Sequence, residues 1–239
     1  MASNTLAIAK REFRGYFNSA VAYVVICGVL LLVGFLFFFF RPFFVVGKAT
    51  CRELFTFIGM TFLFFAPAVT MRLLAEERKS GTIEILITMP VRDWEVIIGK
   101  FLAALGLLVV LLVLTLPFPI TISRIGDLDW GPVMGGYAGL FLEGAAFLAI
   151  GMLASSLTEH QIVAFFSSLL FGLALYMMDW SLPFLPAGVA SIVEYLSFGY
   201  HFEGIARGVI DSRDVVYFLS VTAVALGLSF RQLESRKWK

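Results

Sequence analysis

The chain is poor in everything that usually carries chemistry. It has two histidines and two cysteines among 239 residues, and only 15% of its residues are charged. His160 and His201 fall in different connections, predicted on opposite sides of a membrane, and neither has a second His or a Cys at ligand spacing, so they form no shared metal site. Cys27 and Cys51 make no redox or zinc motif. No G-x-x-x-x-G-K-[ST] loop is present: the two Gly-Lys pairs, at Gly47 and Gly99, lack the upstream glycine and the following hydroxyl. The chain is therefore not expected to hydrolyse ATP itself. A serine–lysine dyad would need a lysine beside a serine inside an apolar span, and every lysine reads as lying at a membrane edge or beyond it. The net charge of +1 gives no footprint for nucleic acid. Together these absences disfavour an intramembrane enzyme.

What the chain has is grease. Hydrophobic residues make up 60% of it, with 26 phenylalanines, where soluble domains sit near 45–50%. Several uncharged runs approach or exceed the ~18 residues that mark a transmembrane helix. We read six spans: Ala20–Phe40, Leu54–Met71 with Pro67 as a kink, Val96–Ile122, Val133–Leu157, Ile162–Met178 and Val215–Phe230. Each must be helical, since backbone groups in lipid are satisfied only within their own segment. The first run is too long for the apolar region of a signal peptide and no small-residue cleavage site follows it, so it is expected to remain as a span.

Lysine and arginine set the orientation. With the N-terminus inside, twelve fall on the inner side and six on the outer side, which favours cytoplasmic termini. Trp94, Trp130, Trp180 and Trp238 all fall at predicted membrane edges, where an indole is favoured. Residues 1–19 read as an interfacial helix: Leu6, Ala9, Phe13, Tyr16, Phe17 and Ala20 recur at helical spacing, away from Lys10, Arg11 and Arg14. Residues 181–213 read as an outer segment with short helices dipping into the leaflet; an ordinary outer loop is the simpler alternative. The whole chain, 1–239, reads as one transmembrane domain.

Two features stand out as candidate sites. Glu143 sits about ten residues into the fourth span, where a carboxylate costs several kcal/mol unless neutralised or paired. It either lines a translocation path or is a protonated group hydrogen-bonded to a neighbouring helix or reaching interfacial water. The second feature is the connection between spans two and three, residues 72–93. Glu76, Glu77, Arg78 and Lys79 lie in direct succession there. The second helix can continue to Lys79, Gly81 then breaks it, and Thr82 can cap a new short helix. In that helix Ile83, Leu86, Ile87 and Pro90 share one apolar face, flanked by charges that include Glu84. Such an amphipathic helix can seat in a groove of a soluble partner.

At these residues the sequence resembles a known family. "AEERKSGTIEILITMPV", followed by W-x-x-x-x-GKF, resembles the signature loop of ABC-2-type transporter permeases. "REFRGYFNSAVAYVV" at Arg11–Val25, "GMLASSLTEHQIVAF" at Gly151–Phe165 and "HFEGIARGVIDSRDVVYF" at His201–Phe218 resemble its other conserved stretches, in order. The nearest subgroup by resemblance is the gliding-motility-associated ABC permease. The resemblance implies an all-α, six-helix transmembrane domain of the type V exporter kind, in a bacterial inner membrane, dimerising with a second copy or a paralogue. It implies separate ATPase subunits that carry the ATP and Mg, no cofactor on this chain, a coupling helix around Glu76–Pro90, and room for an auxiliary periplasmic or membrane protein. Export is the expected activity; a non-transporting scaffold or mechanotransmission role is the alternative.

Overall fold

The computed structural model describes residues 2–40, 50–81, 92–208 and 211–235. Among them are eleven α-helices. They are α1 (Ala2–Asn18), α2 (Ala20–Phe35), α3 (Arg52–Thr70), α4 (Ala75–Lys79), α5 (Asp93–Thr115), α6 (Pro117–Ile125), α7 (Trp130–Leu157), α8 (Gln161–Ser181), α9 (Ala187–Leu196), α10 (Phe198–Ala206) and α11 (Ser212–Glu234). A π-helical turn, Leu36–Phe40, extends α2, and a 3-10 turn, Leu182–Phe184, ends α8. Six helical stretches are long and apolar enough to cross a membrane: Ala20–Phe39, Arg52–Lys79, Asp93–Ile125, Trp130–Leu157, Gln161–Phe184 and Ser212–Glu234. The protein is thus an all-helical, multi-pass membrane protein with the six expected spans.

The fourth span, α7, is the hub. It packs against α11, α3, α8, α10 and α5, and 78% of its most apolar window is buried. Lipid tails give no hydrophobic drive for helices to associate, so close backbone approach through small residues supplies the contact. A Cβ on Gly136 would stand 2.2 Å from the Phe55 ring of α3, and one on Gly151 would stand 2.1 Å from the Thr70 hydroxyl. These two glycines let α3 lie directly against α7. The fifth span has only 17% of its window buried, leaving Ile162, Phe166, Leu170 and Phe171 on the outside.

Two expectations need correction. The second helix does not continue unbroken to Lys79: it ends at Thr70, passes through a turn at 71–74 and restarts as α4. The third span is broken at Leu116, because Pro117 lacks an N–H and α6 begins there with that proline in its first turn. Helix α1 lies against α5, and its inward face runs through Thr5 and Ile8, with a Cβ on Gly99 falling 2.8 Å from Ile8. Of the apolar pattern, Phe13, Tyr16 and Phe17 are half-buried, with Phe13 against Gly106, while Leu6 is 65% exposed.

Candidate functional site

Two polar assemblies lie at opposite ends of the same helices. The first surrounds α4, on the side of the bundle that carries the termini. A single hydroxyl organises the turn before it: Ser155 Oγ, near the end of α7, accepts from the Leu74 N–H at 3.2 Å and the Ala75 N–H at 3.1 Å. The same hydroxyl is 3.2 Å from the Met71 carbonyl, to which it donates. These amides lie at a helix start, where no intrahelical acceptor exists. The neighbouring Ser156 carbonyl accepts from Arg78. Span four thus captures the turn, and this is why the second helix cannot run straight on.

The other anchor is a lysine that the sequence reading left at a membrane edge. Lys100, in α5, is 2% exposed. Its ammonium is 2.8 Å from a Glu77 oxygen in α4 and 3.5 Å from Glu12 in α1. Burial pushes the Glu12 carboxyl up, but Lys100 and Arg11 outweigh it and hold that carboxyl below its usual range. Tyr16, beside it, donates to the Val69 carbonyl of α3 at 3.2 Å; burial and the Glu12 charge push its phenol up. One cation therefore ties α1, α4 and α5 together, and a tyrosine ties in α3.

The four successive charges consequently divide. Glu77 and Arg78 are half-buried and turned inward, whereas Glu76 and Lys79 are exposed. Ser80 Oγ donates back to the Glu76 carbonyl at 2.9 Å. Gly81 then has φ +70°, a left-handed conformation that glycine adopts without strain, so the break expected there is present. At the start of α5 the Arg92 N–H donates to the Glu95 carboxylate at 2.9 Å. Thr82, Ile83, Glu84, Leu86, Ile87 and Pro90 lie outside the described residues.

The second assembly is a cavity of about 270 Å³ at the far end, with Glu143 among its lining residues. Glu143 is 1% exposed, and its Oε2 has no hydrogen-bond partner. That oxygen lies 2.8 Å from where a Cβ on Gly59 would stand, so Gly59 makes room for the carboxylate. Asp179, near the end of α8, also lines the cavity and leaves its buried Oδ1 unpartnered. Its other oxygen sits so close over Gly199 that any side chain there would collide with it. Gly199 is in the first turn of α10, where the helix dipole favours an anion. Tyr176, Trp180 and Phe202 supply aromatic walls. Arg52 at the rim is ion-paired with Glu203, which also takes Arg207 at 2.6 Å. The Arg207 hydrogen bond, first, and then the two arginine charges hold the Glu203 carboxyl below its usual range.

Beside the cavity, His201 is 1% exposed. Its Nδ1 is 2.7 Å from Asp214 and its Nε2 is 2.9 Å from the Tyr195 carbonyl. The ring stacks on Tyr217 at 4.0 Å. Both ring nitrogens face acceptors, an arrangement that locks α10 to α11. Among the described residues no group of three or more His, Cys, Asp or Glu side chains is arranged to hold a metal ion.

Six apolar helices, the fourth of them a buried hub, with an anchored polar connection between the second and third, define a multi-pass helical membrane protein. The comparison with known families agrees: residues 42–238 match the family model described as ABC-2 family transporter protein. The match covers most of the chain, and the chain belongs to that family. Members are membrane subunits that associate with ABC ATPase subunits and are not themselves generally catalytic. Among curated proteins, none matches the chain.

Proposed function

We propose that this chain is the membrane subunit of an ATP-driven exporter, with ATP and Mg bound by separate ATPase subunits, and that it works as a dimer with a second copy or a paralogue. The connection around Glu76–Pro90 is its coupling element. The observation that carries the reading is the double anchoring of α4, by Lys100 to α5 and α1 and by Ser155 to α7. A push that reaches α4 is delivered to spans two, three and four. Glu76 and Lys79 face outward, placed to meet a partner whose charges set register. ATP does work only if the partner's contacts differ between two states of the bundle, and the anchored α4 makes such a difference felt.

Glu143 lines the path that opens and closes. It shares α7 with Ser155, twelve positions away, or roughly 18 Å along a helix axis. Arg52, Thr56 and Gly59 of the cavity lie on α3, which leads directly into the turn at 71–74. The charge bias supports cytoplasmic termini with the cavity on the outer side, and the family resemblance supports a bacterial inner membrane. Within the family, the motifs quoted above favour the gliding-motility-associated subgroup.

Affinity purification of the tagged full chain from native membranes tests the partner. An ATPase subunit should accompany it, be lost with Glu76→Lys and return with the charge exchange Glu76→Lys/Lys79→Glu. A wild-type chain that purifies intact without any ATP-hydrolysing subunit contradicts the proposal.

A further inference from the structure

We infer that the far-end cavity is a binding site for an alkylammonium group, seated between Glu143 and Asp179. The inference deepens the reading of Glu143 as a path-lining residue by naming the chemistry of what it meets.

The charge balance of the cavity leads to this. Of the charged side chains lining it, Arg52 and Glu203 neutralise each other at the half-exposed rim, and Arg207 adds to that pair. The two carboxylates deeper in, Glu143 and Asp179, form no ion pair among the described residues, and each presents a buried oxygen with no hydrogen-bond partner. A carboxylate oxygen held away from water without a donor is costly, and natural structures leave few such atoms unexplained. Two of them in one cavity call for a ligand that brings donors. Tyr176 and both carboxylates line the same cavity, so one guest there can meet both acids.

The walls then choose among cations. Tyr176, Trp180 and Phe202 line the same space, and aromatic faces attract ammonium groups, more strongly once water is excluded. Metal coordination by protein carboxylates usually draws on more oxygen ligands than these two acids offer. The cavity volume is about 270 Å³. That suits a primary ammonium on a short carbon stem and is too small for a large amphiphile as a whole. The ammonium could arrive on a soluble amine entering past the Arg52–Glu203 rim, or on the headgroup of an aminophospholipid whose tails stay in the bilayer. Both present the same group to the same two acids.

The test uses the full chain, purified without any ATPase. In phosphatidylcholine nanodiscs it is titrated calorimetrically with 1,4-diaminobutane, with 1,4-butanediol as the uncharged control. In parallel, native mass spectrometry counts the lipid retained from an equimolar mixture of phosphatidylethanolamine, phosphatidylcholine and phosphatidylglycerol. The expected result is saturable diamine binding, selective retention of phosphatidylethanolamine, or both, with butanediol silent. E143Q and D179N should each weaken that binding by about tenfold or more. Asp179 is only partly buried, so D179N keeps the test open if E143Q fails to fold. The first arm alone assigns a soluble amine and the second alone a lipid headgroup. No saturable binding in either arm, equal binding of butanediol, or wild-type binding in both variants overturns the inference. Because no ATPase is present, such a failure removes the ammonium site and leaves the exporter reading to its own co-purification test.

Discussion

Replacing Lys100 by methionine should do more damage than any other single charge removal near the connection. The side chain of Lys100 is 3% exposed, and those of Glu77 and Glu12 are 18% and 22% exposed. An exposed ion pair contributes about 0–1 kcal/mol, while removing one partner of a fully buried pair costs about 3–5 kcal/mol. The triad lies between these limits, nearer the buried one, so a loss of about 2–3 kcal/mol is expected. For a chain of this size that lowers an apparent Tm by roughly 4–10 °C. The pH dependence gives the sharper signature. The Glu12 carboxyl is held below its ordinary value of 4.5. A depressed carboxyl contributes stability that is present above its unfolded pKa and is lost as pH falls through the folded one. Lys100→Met removes the main source of that depression, so the deficit should be full near pH 7 and shrink below about pH 4.5. Adding Glu77→Gln should recover part of the loss at pH 7, with a coupling of about 0.5–3 kcal/mol. Thermal scans of the purified chain at one scan rate, at pH 7 and pH 4, measure all of this. A variant as stable as wild type at pH 7, or one whose deficit is unchanged in acid, would refute the triad as the anchor.

Other perturbations separate the parts of the structure. Gly136→Ala places a methyl 2.2 Å from the Phe55 ring and should destabilise by about 1–3 kcal/mol. Gly28→Ala, with nothing within 4 Å, should be neutral or gain up to about 1 kcal/mol; the same thermal scans compare the two. Ser155→Ala leaves the Leu74 and Ala75 amides without their acceptor, costs about 1–3 kcal/mol and should speed hydrogen exchange at those two amides while sparing the middle of α7. Arg52→Ala should change thermal stability by no more than about 1 kcal/mol, because both members of its pair are half-exposed and Glu203 keeps Arg207.

The spans were legible because their cause is local: an apolar run must be helical in lipid, and its length is written in the sequence. Boundaries were less so. The break at Leu116 depends on Pro117 and could have been read from it, whereas the interruption after Thr70 is set by Ser155, more than eighty positions later. The charged connection was recognisable as a whole, but five residues of helix carry no periodicity that tells Glu77 and Arg78, which turn inward, from Glu76 and Lys79, which do not. Lys100 read as an edge residue because its two carboxylates come from different helices. Glu143 announced itself by its cost in an apolar run. Asp179 did not, since it stands at the end of a span beside Trp180, where a polar residue is ordinary. Only the fold brings it to the cavity of Glu143.

The central claim is that the anchored connection and the far cavity move together, because α3 and α7 carry parts of both. Spin labels at Thr56→Cys and Trp180→Cys, in a chain with Cys27 and Cys51 replaced, span that cavity in the complex with the co-purifying ATPase. Pulsed dipolar distances should shift by about 2 Å or more between the nucleotide-free and ATP-trapped states, and the shift should be lost in Lys100→Met. A distance unchanged on ATP trapping, in a complex that still hydrolyses ATP, would contradict the account.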